Sequence, residues 1–234
     1  MTMFLKALGG VALAVWCVTG AVWAAGGVGL NKTRVIFSNG ERAESLAVKN
    51  NAAAPWLVQV RVLGEHEQDE RSMVVTPPLF RLEANGQNNL RILSVDNGAG
   101  FPTDRESLRY VQVTAIPSSS QAKDAVSALA VAVGFRIKLL WRPKALPEPG
   151  KKAFQNVKYQ RQGTGVQACN GTPYYLSFNR LEMEGKSIDL NRSPSMLPPF
   201  GCVQYPNMGA VNRIRWSLIN DYGGDSGWFE HAVQ

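Results

Sequence analysis

The sequence is poor in the residues on which enzymes and metal sites most often depend. Among its 234 residues are two histidines, His66 and His231, and three cysteines. The histidines have no spacing to each other or to the cysteines that is typical of metal ligands. No nucleophile elbow and no phosphate-binding glycine loop occur. We therefore expect no catalytic residues, no cofactor and no metal, and binding is favoured over catalysis.

Acidic side chains gather beside a histidine in one polar stretch, which contains Glu65, His66, Glu67, Asp69 and Glu70. The stretch follows a predicted strand. We interpret it as the solvated tip of a hairpin rather than as a site.

Long hydrophobic runs are absent after residue 25. Before it, Lys6 precedes an apolar stretch at 7–25 that closes on Ala24 and Ala25. A basic start, an apolar core and a small-residue end are typical of a secretory signal peptide. We expect residues 1–25 to be removed near Ala24 or Ala25, which leaves about 209 residues. The alternative is an N-terminal membrane anchor, because the run is nearly long enough to cross a bilayer.

Export changes the expectation for the cysteines. Cys17 lies within the predicted signal, which leaves Cys169 and Cys202 in an oxidising compartment. A disulfide between them would close a loop of about 34 residues and would stabilise the fold by about 3–4 kcal/mol in the chain-entropy treatment. Two buried free thiols are the alternative.

No run of like charges accompanies the basic composition. The net charge is +7, and the Lys and Arg residues are scattered along the chain. We expect no nucleic-acid partner, and an acidic protein partner fits this charge better.

Strand signals dominate the mature chain, and no convincing long amphipathic helix appears. Short runs rich in β-branched and aromatic residues recur between turn signals. They predict strands at 46–48, 56–62, 73–75, 90–93, 108–116, 129–141, 174–178 and 214–219. This pattern indicates an all-β, antiparallel sandwich fold.

A proline-rich segment divides the chain. Residues 143–150 contain three prolines and a glycine, which is typical of a stiff linker. We predict an N-terminal domain at 26–143, a linker at 144–150 and a C-terminal domain at 151–234.

One stretch is specific enough to indicate a family. The sequence FPTDRESLRY at 101–110, followed by Ile116-Pro117, closely resembles the signature of the PapD-like periplasmic pilus chaperones. Further resemblances follow in the family's order: NKTRVIF at 31–37, TPPLFRL at 76–82, RIKLLWRP at 136–143, TPYY at 172–175 and NDYG at 220–223. The departures are Gln112 in place of Asn, Arg109 in place of an aromatic residue, and no recognised motif at 225–234.

The resemblance implies two immunoglobulin-like β-sandwich domains set at an angle with a cleft between them. It also implies a periplasmic chaperone that binds, folds and caps pilus subunits by donor-strand complementation and delivers them to an outer-membrane usher. Self-association of the free chaperone is left open. The alternative is an exported immunoglobulin-like adhesin or a structural pilus protein, although such a subunit would usually have one domain and a donor extension at its own N-terminus.

By resemblance, the donor strand presents Leu129, Val131 and Val133. Bulky residues alternate there with alanine and glycine, so one face of the strand is bulky and the other nearly smooth. Pattern alone favours an ordinary core strand, and the resemblance reverses that preference. Phe135 is undecided between donor and core, and Ile137 is expected in the core.

By resemblance, Arg34 and Lys138 bind the C-terminal carboxylate of the subunit. Two cations suit a terminal carboxylate, although without the resemblance both would be interpreted as surface charges. Lys138 has the opposite strand parity to Val133, so either a twist or bulge reconciles them or they act on different faces.

Glu106, Arg142 and Asp221 match the family's charged cluster between the domains, where they would fix the interdomain angle. The alternative is solvent-exposed ion pairs that contribute less than about 1 kcal/mol each.

Overall fold

A computed structural model describes residues 27–118, 131–206 and 208–233. The predicted signal peptide at 1–25 and Leu129 of the predicted donor strand lie outside the described residues. Over the described ranges the chain is nearly all β, with one helix of five residues, α1 (Lys151–Gln155). In this part of the chain, no helix has the length and apolar character that crossing a membrane requires.

The first domain is a sandwich of two sheets. Its strands are β1 (Val28–Leu30), β2 (Arg34–Ser38), β3 (Ala43–Asn50), β4 (Trp56–Leu63), β5 (Met73–Thr76), β6 (Leu79–Leu82), β7 (Gln87–Ser94), β8 (Ser107–Pro117) and β9 (Val133–Arg142). One sheet has the order β1-β3-β7-β5 and the other β2-β9-β8-β4-β6. All pairs are antiparallel except β2 with β9, which is parallel.

Side-chain alternation builds the core of this domain. In the five-stranded sheet one face presents Val35, Phe37, Val58, Val113 and Leu139, all at 2 % exposure or less. The same face meets Leu46 and Ile92 from the other sheet. Each strand therefore contributes every second residue to a single apolar layer.

The second domain is a smaller sandwich. Its strands are β10 (Val157–Gln162), β11 (Gly165–Asn170), β12 (Leu176–Met183), β13 (Lys186–Ser187), β14 (Met196–Leu197), β15 (Cys202–Tyr205), β16 (Arg213–Leu218) and β17 (Phe229–Ala232). Its sheets have the orders β10-β11-β15 and β13-β12-β16-β17, and β14 pairs with β12. The core centres on Tyr159, Tyr205 and Trp216.

The disulfide expected from the cysteine count is present. Cys169 on β11 and Cys202 on β15 are direct cross-strand neighbours, and their sulfurs are bonded. The alternative of two free thiols does not hold.

The last strand occupies the region where the sequence offered no family motif. β17 pairs with β16 from Arg213 to Trp216. Arg213 and Arg215 form ion pairs with Glu230 on β17. The pairing and these surface charges hold a strand that composition alone does not predict.

Two sequence predictions need correction. The strand predicted at 129–141 begins at Val133, because Val131 and Ala132 are described but pair with no strand. The acidic stretch is not uniformly solvated either. The Glu70 side chain is 11 % exposed and forms an ion pair with Arg109, whose guanidinium lies over the Phe101 ring.

Three leucines join the two domains. Leu63, Leu108 and Leu140 are buried to 3 % exposure or less, yet they belong to neither domain core. Leu108 and Leu140 are cross-strand neighbours on the outer face of the five-stranded sheet. The second domain covers this end of the face, so the leucines form an apolar contact between the domains. The domain limits at 143 and 151 stay predictions.

Candidate functional site

The two halves of β9 differ in their neighbours. Residues 138–141 lie between β8 on one side and β2 on the other. Residues 133–137 pair with β8, but no strand within the described ranges pairs with their other edge. The backbone N–H and C=O groups along that edge are available to a further strand.

The pairing of β8 with β9 runs without a bulge from Ala115–Val133 to Ser107–Trp141. Val133 and Lys138 therefore lie on opposite faces of β9, so no bulge or register shift brings them to the same face. Phe135 and Ile137 pack against the core of the first domain. The outer face carries Arg136, Lys138, Leu140 and Arg142 and, where the second domain covers it, points to that domain.

Arg34 and Lys138 meet at the point where the free edge ends. They are direct neighbours in the parallel pairing of β2 and β9. Arg34 Nη1 donates to the carbonyl of Ile219 at 3.0 Å, and Lys138 Nζ donates to Ser177 Oγ at 2.7 Å. Both acceptors belong to the second domain, so the two cations span the cleft.

Arg34 is buried and Lys138 is half-buried, and neither forms an ion pair with a carboxylate of the described residues. Arg34 is 6 % exposed, and its Nε has no hydrogen-bond partner in the described part of the chain. Burial, followed by the neighbouring Arg34, lowers the pKa of Lys138 to about 8, and burial also lowers the pKa of Arg34. The charges of Asp221 and Glu106 act on Arg34 from nearby and oppose the lowering of its pKa. Two adjacent, poorly solvated cations create a site that favours an anion.

A tight turn of the second domain shapes this site. Asn220 Oδ1 accepts the N–H groups of Tyr222 and Gly224. Gly223 has φ +84°, and a Cβ there would lie 2.5 Å from Thr33 Oγ1. Glycine at 223 thus lets the turn approach the residue preceding Arg34.

Glu106, Arg142 and Asp221 meet beside the cations. Arg142 Nε donates to Glu106 Oε1 at 2.8 Å, and its Nη atoms donate to both oxygens of Asp221 at 2.6 and 3.0 Å. The side chains are 1 %, 6 % and 14 % exposed for Glu106, Arg142 and Asp221. The alternative of solvent-exposed ion pairs does not hold.

The electrostatics of this cluster reflect its burial. Desolvation raises the pKa of Glu106, although Arg142 opposes the shift. The pKa of Arg142 is raised because the two carboxylates outweigh its own desolvation. A charge removed from this cluster would leave its partner buried and unpaired.

Further hydrogen bonds connect the two domains around Glu106, at a contact that we call the joint. The Glu106 N–H donates to the carbonyl of Pro173 at 2.9 Å, and the Tyr175 N–H donates to Glu106 Oε2 at 2.7 Å. Tyr175 also donates its hydroxyl to Glu65 at 3.2 Å. Sequence reasoning missed Tyr175, Ser177 and Ile219, because nothing in the local pattern indicates which residues of one domain face the other.

Of the predicted donor residues, Val131 precedes β9, Val133 is its first residue, and Leu129 lies outside the described residues. Val131 is 60 % exposed, and Val133 is half-buried. Phe135, which the sequence left undecided, packs against the core of its own domain. Within the described ranges, no cluster of three His, Cys, Asp or Glu side chains could hold a metal ion.

Comparisons with known proteins agree along the chain. Residues 27–147 match the PapD N-terminal domain of pili and flagellar-assembly chaperones, and residues 152–227 match the C-terminal domain of the pili assembly chaperone PapD. The chaperone protein FocC of Escherichia coli is 38 % identical over 200 residues, which cover 84 % of this chain and 86 % of FocC. The chaperone protein FimC of Escherichia coli K12 is 36 % identical over 200 residues, which cover 84 % of this chain and 80 % of FimC.

Solved structures show the same fold. A chain in the complex of the Salmonella enterica SafA pilin with the SafB chaperone superposes with a TM-score of 0.80 at 32 % identity, covering 88 % of this chain and 96 % of the other. The E. coli chaperone DraB superposes with a TM-score of 0.77 at 34 % identity, covering 88 % of this chain and 98 % of DraB. The predicted fold of two immunoglobulin-like sandwiches is confirmed. Fold and cleft together define a pilus-assembly chaperone, and the chain belongs to the PapD family.

Proposed function

We propose that this chaperone works in the periplasm, where it captures pilus subunits by adding a strand to them and passes them to an outer-membrane usher, without catalysing a reaction. Its relatives carry chaperone names, and a solved structure similar to it is a complex of a chaperone with a pilin. The signal peptide predicted at residues 1–25 supports export.

The observation that carries the proposal is the geometry of β9. Its free edge at 133–137 ends at Lys138, where β2 begins with Arg34. A strand of the subunit that paired along this edge could not continue past that point, because β2 already occupies it. Its end would therefore lie beside both cations.

Charge decides the direction of the added strand. If it ran parallel to β9, as β2 does, its C-terminal carboxylate would reach Arg34 and Lys138 and accept charge-assisted hydrogen bonds. If it ran antiparallel, a positively charged or neutral group would meet these two poorly solvated cations. We infer parallel addition, with the carboxylate fixing the register.

The donor side chains would fill the open core of the subunit. Val131 and Val133 are free for this, together with Leu129, which lies outside the described residues. Each would contribute roughly 1.5–3 kcal/mol if fully buried, before the cost of ordering. Phe135 and Ile137 remain with the chaperone's own core.

A second face is left for the usher. Leu57, Leu79 and Ile116 are 42–56 % exposed on the outer face of β4, β6 and β8. Leu57 is directly opposite Ile116, and Leu79 is diagonal to Leu57. They lie at the end of the face that the second domain does not cover, so a bound subunit in the cleft leaves them accessible. We assign this apolar patch to the usher.

Glu106, Arg142 and Asp221 would fix the angle between the domains, as the family resemblance implies. Their burial supports that role, because a buried and mutually satisfied cluster tolerates only one arrangement of the two domains. An adhesin or structural pilus protein is less well supported, since the curated relatives are named as chaperones.

The test is co-expression with candidate pilus subunits, followed by purification of the chaperone. We expect one subunit to become soluble as a stable complex. A matched subunit extended by four glycines at its C-terminus should be lost, because its carboxylate would no longer reach the cations. Equal recovery of both subunits would contradict the anchoring, and recovery of neither from any candidate would contradict the proposed function.

A further inference from the structure

Two loops of the second domain meet the first domain at the joint. We define the joint loops as residues 171–175, between β11 and β12, and residues 198–201, between β14 and β15. Pro173 accepts the Glu106 N–H, and the Tyr175 N–H binds the Glu106 carboxylate. The ring of Phe200 lies under the Arg105 guanidinium, with 5.1 Å from Cζ to the ring centroid.

One buried side chain ties the joint loops to each other. Asn170, at the end of β11, is 2 % exposed. Its Nδ2 donates to the carbonyls of Tyr174 at 2.7 Å and Pro198 at 2.9 Å. Its Oδ1 accepts the N–H and the hydroxyl of Thr172 at 2.9 and 2.7 Å. One amide thus satisfies groups in both loops, away from water.

The disulfide lies beside this amide. Cys169 directly precedes Asn170, and Cys202 directly follows the second joint loop. The backbone closes the unit, since the Asn170 N–H donates to the carbonyl of Gly201 at 2.8 Å. The Phe200 N–H donates to the carbonyl of Thr172 at 3.1 Å. The covalent link therefore holds together the ends of the two loops that dock on the first domain.

We propose that Asn170 and the Cys169–Cys202 disulfide are positioning residues for subunit capture, because they hold the joint loops in the form that docks on Glu106. The proposal rests on the proposed function. Through Glu106 and Arg142, the joint sets where the second domain places Ser177 and the Ile219 carbonyl against Lys138 and Arg34. A loosened joint leaves both domains folded and the cationic site poorly shaped.

The experiment uses two variants and one control. The Cys169→Ala/Cys202→Ala pair removes the covalent link. Asn170→Asp keeps the disulfide and the acceptor oxygen but loses both donated bonds. The control is Tyr205→Phe, on the same strand as Cys202. It removes a 2.7 Å hydrogen bond from the Tyr205 hydroxyl to the carbonyl of Pro194, which lies outside the joint loops.

Hydrogen exchange at two backbone amides reports on the joint without any subunit. In both variants we expect the amides of Glu106 and Tyr175 to exchange at least tenfold faster. The reference amides are those of Leu181 and Trp216, which lie in a sheet of the second domain. Tyr205→Phe should not change the ratio between these two sets of exchange rates. An unchanged ratio in Asn170→Asp would overturn the proposal, even if the cysteine variant fails to fold.

Subunit affinity gives the second readout. Both variants should bind the subunit about tenfold more weakly, and the control should bind as the unmodified chaperone does. Faster exchange with full affinity would overturn the positioning role. If the unmodified chaperone holds no subunit, the proposed function fails, whereas the exchange ratio still decides whether Asn170 and the disulfide hold the joint.

Discussion

Arg34 on β2 and Lys138 on β9 lie directly opposite each other in a parallel strand pair, and both donate hydrogen bonds to the second domain. The arrangement is costly, since two like charges share a poorly solvated place with no carboxylate bound to either in the described part of the chain. A protein under selection for stability alone would neutralise one of them. The subunit carboxylate proposed above would explain why both are held there.

Removing either cation should weaken capture strongly and spare the fold. In Arg34→Ala or Lys138→Ala, the carboxylate loses a charge-assisted bond worth about 1.5–3 kcal/mol, which weakens subunit binding by roughly 10- to 150-fold. Calorimetry of the complex and circular dichroism of the free variants measure the two effects. Unfolded variants would instead make these residues structural.

Capture should weaken at alkaline pH. Lys138 has a pKa of about 8 in the folded chaperone, and a bound carboxylate raises it again. Affinity is then full below pH 8 and falls by about fivefold or more as the pH rises past it, because a neutral donor binds a carboxylate less strongly. Tyr110, opposite Lys138 on β8, has a raised pKa and stays neutral over this range.

The same group should affect stability in the opposite direction. The unfolded chain holds the Lys138 proton more tightly than the folded chain, so this lysine disfavours the fold below pH 8. That penalty decreases between pH 8 and the ordinary value of 10.5. The difference between the unmodified protein and Lys138→Met, measured by urea unfolding and by subunit affinity across this range, isolates both effects. Identical profiles would show that Lys138 does not titrate there.

Breaking the buried cluster should be severe. Arg142→Met leaves the carboxylates of Glu106 and Asp221 without their partner, and the free energy of unfolding should fall by about 3–5 kcal/mol. The control is Arg192→Ala, whose side chain is 89 % exposed in its pair with Asp189 and should contribute less than about 1 kcal/mol. If urea denaturation gave similar losses for Arg142→Met and Arg192→Ala, the buried cluster would contribute no more to stability than an exposed ion pair.

Substitution of a donor residue and of a core residue near the start of β9 should have different effects on stability and on binding. Val131→Asp should leave the stability of the free chaperone unchanged within about 0.5 kcal/mol, because the side chain is 60 % exposed. It should weaken subunit binding at least tenfold. Phe135→Ala should instead lower stability by about 1–3 kcal/mol, since Phe135 packs against the core of its own domain. A large stability loss from Val131→Asp would place Val131 in the core.

Much of the fold was predictable from sequence. Strand alternation and turn residues predicted eight of the seventeen strands of the described residues, most of them the long ones. The cysteine count predicted the disulfide that the structure contains. The start of β9 was predicted too early, because alternation continues through Val131 although pairing does not. β17 was missed as a motif, because cross-strand partners rather than its own sequence hold it.

By itself the sequence determined the all-β class, the two-domain order and the family. Residue alternation, proline- and glycine-rich turns and the order of the motifs depend only on residues close together in the chain. Only the tertiary structure decided which half of β9 keeps a free edge, that Lys138 lies on the opposite face from Val133, and that Arg34, Lys138 and Arg142 are poorly solvated. Those properties depend on which strands pair and on which domain covers a face. The contacts involved join residues far apart in the chain, such as Arg34 and Ile219, and no local pattern encodes them.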